Sequence, residues 1–290
     1  MNEGAFGPVQ ALGGLRAEVG EGPHWDGDGQ RLWWVDLLAG LVHCSDLRSG
    51  QATTFSVGHP VGAVVARASG GLVAADSRGF SYLSPTGELL DRVEMLPAGQ
   101  RMNDAKTDPA GRLWAGSTAM EFTSGAGALH VLSPDGAVGT VLTGLTLPNG
   151  LGWSPSGDTF YLVDSLQGWL RAWDFDPASG GIASPRTLVE FGDQDELPDG
   201  LCVDAAGTIW LAIWGGSRVE RYSADGKPLG PLRLAVAQPS SCAFAGPELK
   251  MLLVTSAYRG LGHRATGLDG ALLGVSSPGA VGFPGAKFAG

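Results

Sequence analysis

Two carboxylates and two carboxamides stand at matching points of the chain. Glu21, Asn103, Asn149 and Asp199 each lie five residues before the end of an apolar segment, at Asp26, Asp108, Ser154 and Asp204. Two further segments, ending at Ala66 and Ala245, put Val61 and Ser240 at the same point. Proline precedes four of the six positions, as Pro60, Pro148, Pro198 and Pro239, and marks where the chain enters a strand. Glu21, Asn149 and Asp199 offer only oxygen donors and a formal charge of −2, which suits one hard divalent cation better than zinc. Calcium is the first expectation, with manganese, zinc, magnesium or iron as alternatives. Without a cation, clustered carboxylates repel each other and are costly to desolvate. A single Pro-Asn-Gly or Pro-Asp-Gly triplet is an ordinary turn. Four polar residues in one register are not, because buried polar groups need partners. Arg101, two residues before Asn103, brings a fork of donors toward the same place, suited to substrate hydroxyls or carbonyls.

A register shared by distant residues requires a repeat, and the chain has one. An apolar strand, a turn containing glycine and a second apolar strand recur as WDGDGQRLWWVD, ARASGGLVAA, DPAGRLWAG, SPSGDTFYLVD, DAAGTIWLA and FAGPELKMLLVT. The first apolar residues after these turns are Leu32, Leu72, Leu113, Phe160, Ile209 and Met251, spaced 40, 41, 47, 49 and 42 apart. A second hairpin follows each copy, the last being ALLGVSSPGAVGFPGAKF. About four strands per repeat at this period predict an all-β fold, a six-bladed β-propeller with a central channel bearing the metal site. One domain then spans residues 1–290. Trp33, Trp114, Tyr161 and Trp210 are expected between blades as core. The segment Val9 to Val19 is expected to close the ring as an outer strand beside the C-terminal hairpin. The innermost strands border the channel, so the shared register converges on its mouth.

Composition agrees. There are 47 glycines and 18 prolines in 290 residues, yet 43% are hydrophobic and 17% charged, which excludes disorder, collagen and long helical repeats. A net charge of −10 repels phosphate backbones and anionic lipid, so neither nucleic acid nor membrane is an expected partner. Met1 to Gly14 carries no basic segment followed by an apolar core, and no apolar stretch has spanning length, so a cytoplasmic protein is expected. Cys44, Cys202 and Cys242 lack zinc-site spacing and are read as buried free thiols. The histidines His24, His43, His59, His130 and His263 show no ligand spacing, and no Gly-x-Ser-x-Gly elbow is present.

The segments GEGPHWDGDGQRLWWVD, RMNDAKTDPAGRLWAGS, LPNGLGWSPSGDTFYLVDS, LPDGLCVDAAGTIWLAIWGGSRVERYSADGK and VTSAYRGL resemble, in order, the signatures of the SMP-30/gluconolactonase/LRE (regucalcin-like) family. The resemblance runs from Val19 to the C-terminus. It implies a six-bladed propeller with one divalent cation at the channel mouth, and hydrolysis of a sugar lactone. It puts the metal ligands on Glu21, Asn149 and Asp199, and substrate contacts on Arg101, Asn103 and Glu121. The loop around Glu121 reads GSTAMEF where the family more often has Gly-Thr-Met. The expected chemistry is ring opening of an aldonolactone, with the cation polarising the carbonyl and Asp199 as the base that activates water. A calcium-binding regulator without catalysis, or a propeller hydrolase of organophosphates or other esters, are the rival expectations. The loops Glu121 to Gly127 and Ser256 to Gly267 are expected to shape the mouth.

Overall fold

The computed structural model describes residues 6–192 and 195–290. Six four-stranded antiparallel sheets form a ring, each a meander running outward from the axis. The innermost strands are Gly20–Asp26, Val61–Ala66, Gln100–Thr107, Pro148–Trp153, Leu197–Val203 and Gln238–Ala245, in blades 1 to 6. Each next strand begins within one residue of the apolar position that marks its repeat, so the spacing of the repeat is the spacing of the blades. Blade 6 takes its fourth strand from the other end of the chain: Val9–Arg16 pairs antiparallel with Ala271–Ser276 and closes the ring. No helix among the described residues is long and apolar enough to cross a membrane.

Six apolar clusters hold the ring together, one at each junction between neighbouring blades. Trp33 packs between blades 1 and 2, Trp114 between 3 and 4, Tyr161 between 4 and 5, and Trp210 between 5 and 6. Side chains alternate across a strand, so Trp34 faces the other way and fills the junction of blade 6 with blade 1. Each such fully buried aromatic contributes roughly 3 kcal/mol of transfer free energy. The Trp114 and Trp210 indoles donate to Asp108 and Asp204 at 3.0 and 2.9 Å, which satisfies their N–H groups in the core. All three cysteines are free and buried.

The hairpin expected at the C-terminus does not form. Ala271–Ser276 already has a partner on its outer side in Val9–Arg16, which leaves no pairing edge, and Pro278 and Pro284 lack N–H donors. The tail instead crosses the far end of the ring. Val281 accepts from the Ala205 amide at 2.8 Å in blade 5, and Phe288 donates to the carbonyl of Ala66 at 3.0 Å in blade 2. Phe288 itself is fully buried, between blades 2 and 3.

Candidate metal and lactone site

The six innermost strands share an irregularity that repeat spacing alone does not show. Ladder pairing slips in every one of them: between Glu21 and His24, Val61 and Ala63, Met102 and Ala105, Pro148 and Leu151, Pro198 and Leu201, and Pro239 and Ser241. A bulge places an extra residue against one partner residue and re-aims its side chain. Here it turns Glu21, Asn103, Asn149 and Asp199 toward a common cavity of about 350 Å³, which all four line together with Arg101. The following residue is glycine in four blades, and close approach requires it. A Cβ on Gly62 would stand 1.8 Å from the Asn103 carbonyl, and one on Gly150 would stand 2.5 Å from that of Asp199.

Aspartates at the ends of the second strands steer the chain into this register. Asp36 accepts from the Glu18 and Val19 amides at 2.8 and 3.1 Å, just ahead of Glu21. Asp164 accepts from the Thr146 and Leu147 amides at 2.7 and 3.1 Å, just ahead of Asn149. Both aspartates stand at the end of a Val-Asp pair, in WWVD and FYLVD, and that recurrence is the signal by which they are legible.

Glu21, Asn103, Asn149 and Asp199 are each 5–6% exposed. Two oxygens aimed into this buried region, Asn149 Oδ1 and Asp199 Oδ1, have no hydrogen-bond partner. Asn149 is oriented by its other end, since Nδ2 donates to Ser165 Oγ at 3.1 Å. Burial, and then the charge of Asp104, pushes the Glu21 carboxyl up to about 8, against the pull of the Gly22 amide and Arg101. Burial and the neighbouring charges of Glu21 and Asp104 likewise hold Asp199 well above the carboxylate range. Two carboxylates that resist ionisation beside two orphaned oxygens match a site built for a cation. Among the described residues no group of three or more His, Cys, Asp and Glu side chains is arranged to hold a metal, so a ligand set here must count the Asn149 amide.

Arg101 is buried at the floor, donating to Asn103 Oδ1 at 2.6 Å and to the Met102 carbonyl at 3.1 Å, and desolvation lowers it to about 10 against the opposing pull of Glu21 and Asp199. Glu121 sits exposed on the turn after Leu113–Ala119; its neighbours Met120 and Phe122, rather than Glu121 itself, line the cavity. Phe122 holds a left-handed φ of 53°, and the Arg101 guanidinium lies over its ring, 5.9 Å from the centroid, in cation–π contact. The two loops expected at the mouth contribute Phe122 and Arg259, and Leu37, Leu38, Leu166 and Trp214 complete an apolar rim. Asp104, with Oδ1 on the Ala105 amide at 2.8 Å and Oδ2 unpartnered, is a third buried carboxylate that repeat spacing does not single out.

A closed ring with oxygen donors from blades 1, 4 and 5 at one mouth defines a propeller of the kind that binds small ligands on its axis. Residues 19–258 match the SMP-30/Gluconolactonase/LRE-like region, and the chain belongs to that family. It is similar to regucalcin of Gallus gallus, 32% identical with 97% of this chain and 98% of the relative covered. It is also similar to the pentonolactonase XacC of Haloferax volcanii, 34% identical over 82% of this chain and 81% of the relative. Among solved structures it resembles a calcium-binding protein, regucalcin, from Agrobacterium tumefaciens, with a TM-score of 0.92, 27% identity and 97% of each chain covered.

Proposed function

We propose that the protein is a divalent-metal-dependent lactonase that opens the ring of a sugar lactone, such as a glucono- or pentonolactone. The observation that carries this reading is the pair of orphaned buried oxygens, Asn149 Oδ1 and Asp199 Oδ1, in a cavity shared with Glu21 and the Arg101–Asn103 pair. A relative named pentonolactonase and another named putative sugar lactone lactonase support the substrate class. Glu21, Asn149 and Asp199 would hold the cation, which supplies Lewis-acid polarisation of the lactone carbonyl when bound. Calcium or manganese suits the oxygen donors best.

Asp199 takes the proton of the attacking water on the carboxylate oxygen that the cation would leave free, and returns it to the ring oxygen as the acyl C–O bond breaks. Burial and the charges of Glu21 and Asp104 raise the proton affinity of Asp199 in the metal-free fold, and a bound cation would bring it back toward the ionised form that a base requires. Glu21 serves as a ligand only. Arg101 keeps guanidinium N–H groups beyond the two bonds it makes within the protein, and these orient the ring oxygens. Asn103, pinned between Arg101 and blade 4, sets where that guanidinium points. Glu121 is assigned the outermost hydroxyls of the substrate from its exposed turn.

A calcium-binding regulator is the second reading, because a neighbour in fold is titled a calcium-binding protein and the same donors serve it. The buried arginine favours the enzyme, since a guanidinium beside the ligands weakens cation binding, and its N–H groups beyond the bonds to Asn103 and Met102 suit a substrate. The test is a panel of five- and six-carbon aldonolactones, assayed with Ca²⁺, Mn²⁺, Zn²⁺, Mg²⁺ and Fe²⁺ after stripping with a chelator. Ring opening restored by one of the cations is the expected result, and its absence with every cation overturns the proposal.

A further inference from the structure

The channel has a second concavity at its other end, where the innermost strands leave the axis. It is a cavity of about 370 Å³, within the size range of small-molecule sites, and shares no lining residue with the site at the mouth. Its walls are apolar, with Trp25, Val203, Phe244 and Leu249 around the side and Phe283 and Ala286 of the crossing tail over it. Although the chain has 29 Asp and Glu against 19 Lys and Arg, none of the described side chains lining this cavity is acidic.

Beside the hydroxyls of Thr107, Ser154 and Ser156, its polar groups include two nitrogen donors. Lys106, half-buried, reaches across the channel from blade 3 and donates to the Leu201 carbonyl of blade 5 at 2.7 Å, which uses one of three N–H bonds. His24 Nε2 accepts from the Ala66 amide at 3.2 Å, so the ring proton sits on Nδ1 and makes it a second donor. Burial, then the charge of Lys106, lowers His24 to about 4 against the pull of Asp26, and the imidazole is neutral at neutral pH. The carboxylates nearest the rim are already engaged. Asp26 and Asp28 share Lys287 at 3.0 and 2.9 Å, and Asp158 accepts from Ser154 and Ser156 at 2.9 and 2.7 Å.

We propose that this cavity binds a small monocarboxylate with an aromatic or branched aliphatic body, its carboxylate toward Lys106 and His24 and its body between Trp25, Phe244 and Phe283. A cation is repelled by Lys106 and finds no free acid. A polyol loses hydration against mostly apolar walls that offer it few partners beyond the hydroxyls of Thr107, Ser154 and Ser156. An inorganic anion leaves the apolar walls unused, whereas an amphipathic acid satisfies both the donors and the walls.

The experiment titrates the intact protein with benzoate, with and without a chelator, by calorimetry, with benzamide and gluconate in parallel. Lys106→Met and Ala286→Phe are tested alongside, the second filling the cavity from the tail while leaving the lysine in place. Benzoate is expected to bind with a Kd of about 1 mM or tighter. Binding should weaken about 10-fold or more in Lys106→Met and for benzamide, as loss of a charge-assisted hydrogen bond implies. It should disappear in Ala286→Phe, which decides the matter alone if Lys106→Met does not fold. The proposal is overturned if folded wild-type protein shows no benzoate binding near about 1 mM. It is equally overturned if the chelator abolishes binding, if a folded variant binds as wild type does, or if gluconate binds as tightly as benzoate.

Discussion

Asn103 Nδ2 in blade 3 donates to the carbonyl of Pro148 in blade 4, 3.0 Å away, while its Oδ1 accepts from Arg101. Both ends of one amide are therefore in use, and Pro148 is the residue that delivers Asn149. Blade 6 does the same for blade 1, where Ser240 Oγ donates to the carbonyl of Gly20, next to Glu21. The geometry of the candidate ligands is set by neighbouring blades as well as by their own.

Replacing Asn103 by Asp keeps the acceptor for Arg101 but turns the donor into an oxygen facing the Pro148 carbonyl. The expected outcome is a kcat/KM lower by about 10-fold or more, since an unsatisfied or repelled buried group costs about 1–3 kcal/mol. Asn103→Ser, too short to reach both partners, should fall between the two. Steady-state kinetics on the best lactone of the panel checks the order.

Asp199→Asn and Asp199→Ala separate ligand from base. The amide retains one oxygen donor, so some cation should remain bound, while turnover falls at least about 100-fold through loss of the base. Alanine should lose both. Metal content measured beside activity makes the comparison, and full turnover in a metal-loaded Asp199→Asn protein would remove the base assignment.

Chelated protein should lose stability as pH rises from about 4.5 to about 8. Glu21 is held up to about 8 in the fold from an ordinary value of 4.5, so across that window the unfolded chain has released a proton that the folded chain still holds. Stability therefore falls with increasing pH, and Glu21→Gln should flatten the slope. Thermal melts across the window, with and without calcium, check both points. Added cation should raise the melting temperature most at the alkaline end, where no proton must be displaced.

His24 gives the opposite sign. Its folded value of about 4 lies below the ordinary 6.5, so the unfolded chain binds the extra proton between those values and stability falls as pH drops through that range. The full effect is up to about 3 kcal/mol. Chemical unfolding at pH values on either side of the window, compared with His24→Gln, measures it.

Gly62→Ala should destabilise strongly without touching Glu21, Asn149 or Asp199, through the backbone of Asn103. The added Cβ meets the backbone carbonyl of Asn103 at 1.8 Å, a contact that no side-chain rotation relieves. The cost is expected at about 3 kcal/mol or more. Gly139→Ala, where nothing lies within 4 Å, is the control and should leave the denaturation midpoint nearly unchanged.

Much of this was legible before folding because propeller blades repeat in sequence as well as in space. Pro before Asn149 and Asp199, and Gly after them, fall at one phase of the repeat, so residues from blades far apart in the chain could be put in one ring. Trp33 was legible as core for the same reason. Its neighbour Trp34 lies in the same apolar run, and the alternation of a strand sends it to the opposite junction. The tail broke the pattern because its outer edge was already occupied by a strand from the other end of the chain, a fact of closure that the local turn residues Pro278 and Pro284 do not report.

The order and type of the residues determined by themselves that there are six sheets, which strand of each lies innermost, and which side chains sit at one level of the channel. Local periodicity carries that information, since strand, turn and repeat are short-range properties. Only the tertiary structure decided that each innermost strand bulges at that level, that Asp104 and Lys106 join the axis, and that the far end is roofed by the tail. The reason is physical. A bulge and a desolvated charge depend on how closely neighbouring blades approach, as Gly62 against Asn103 shows, and that distance exists only once the ring has closed.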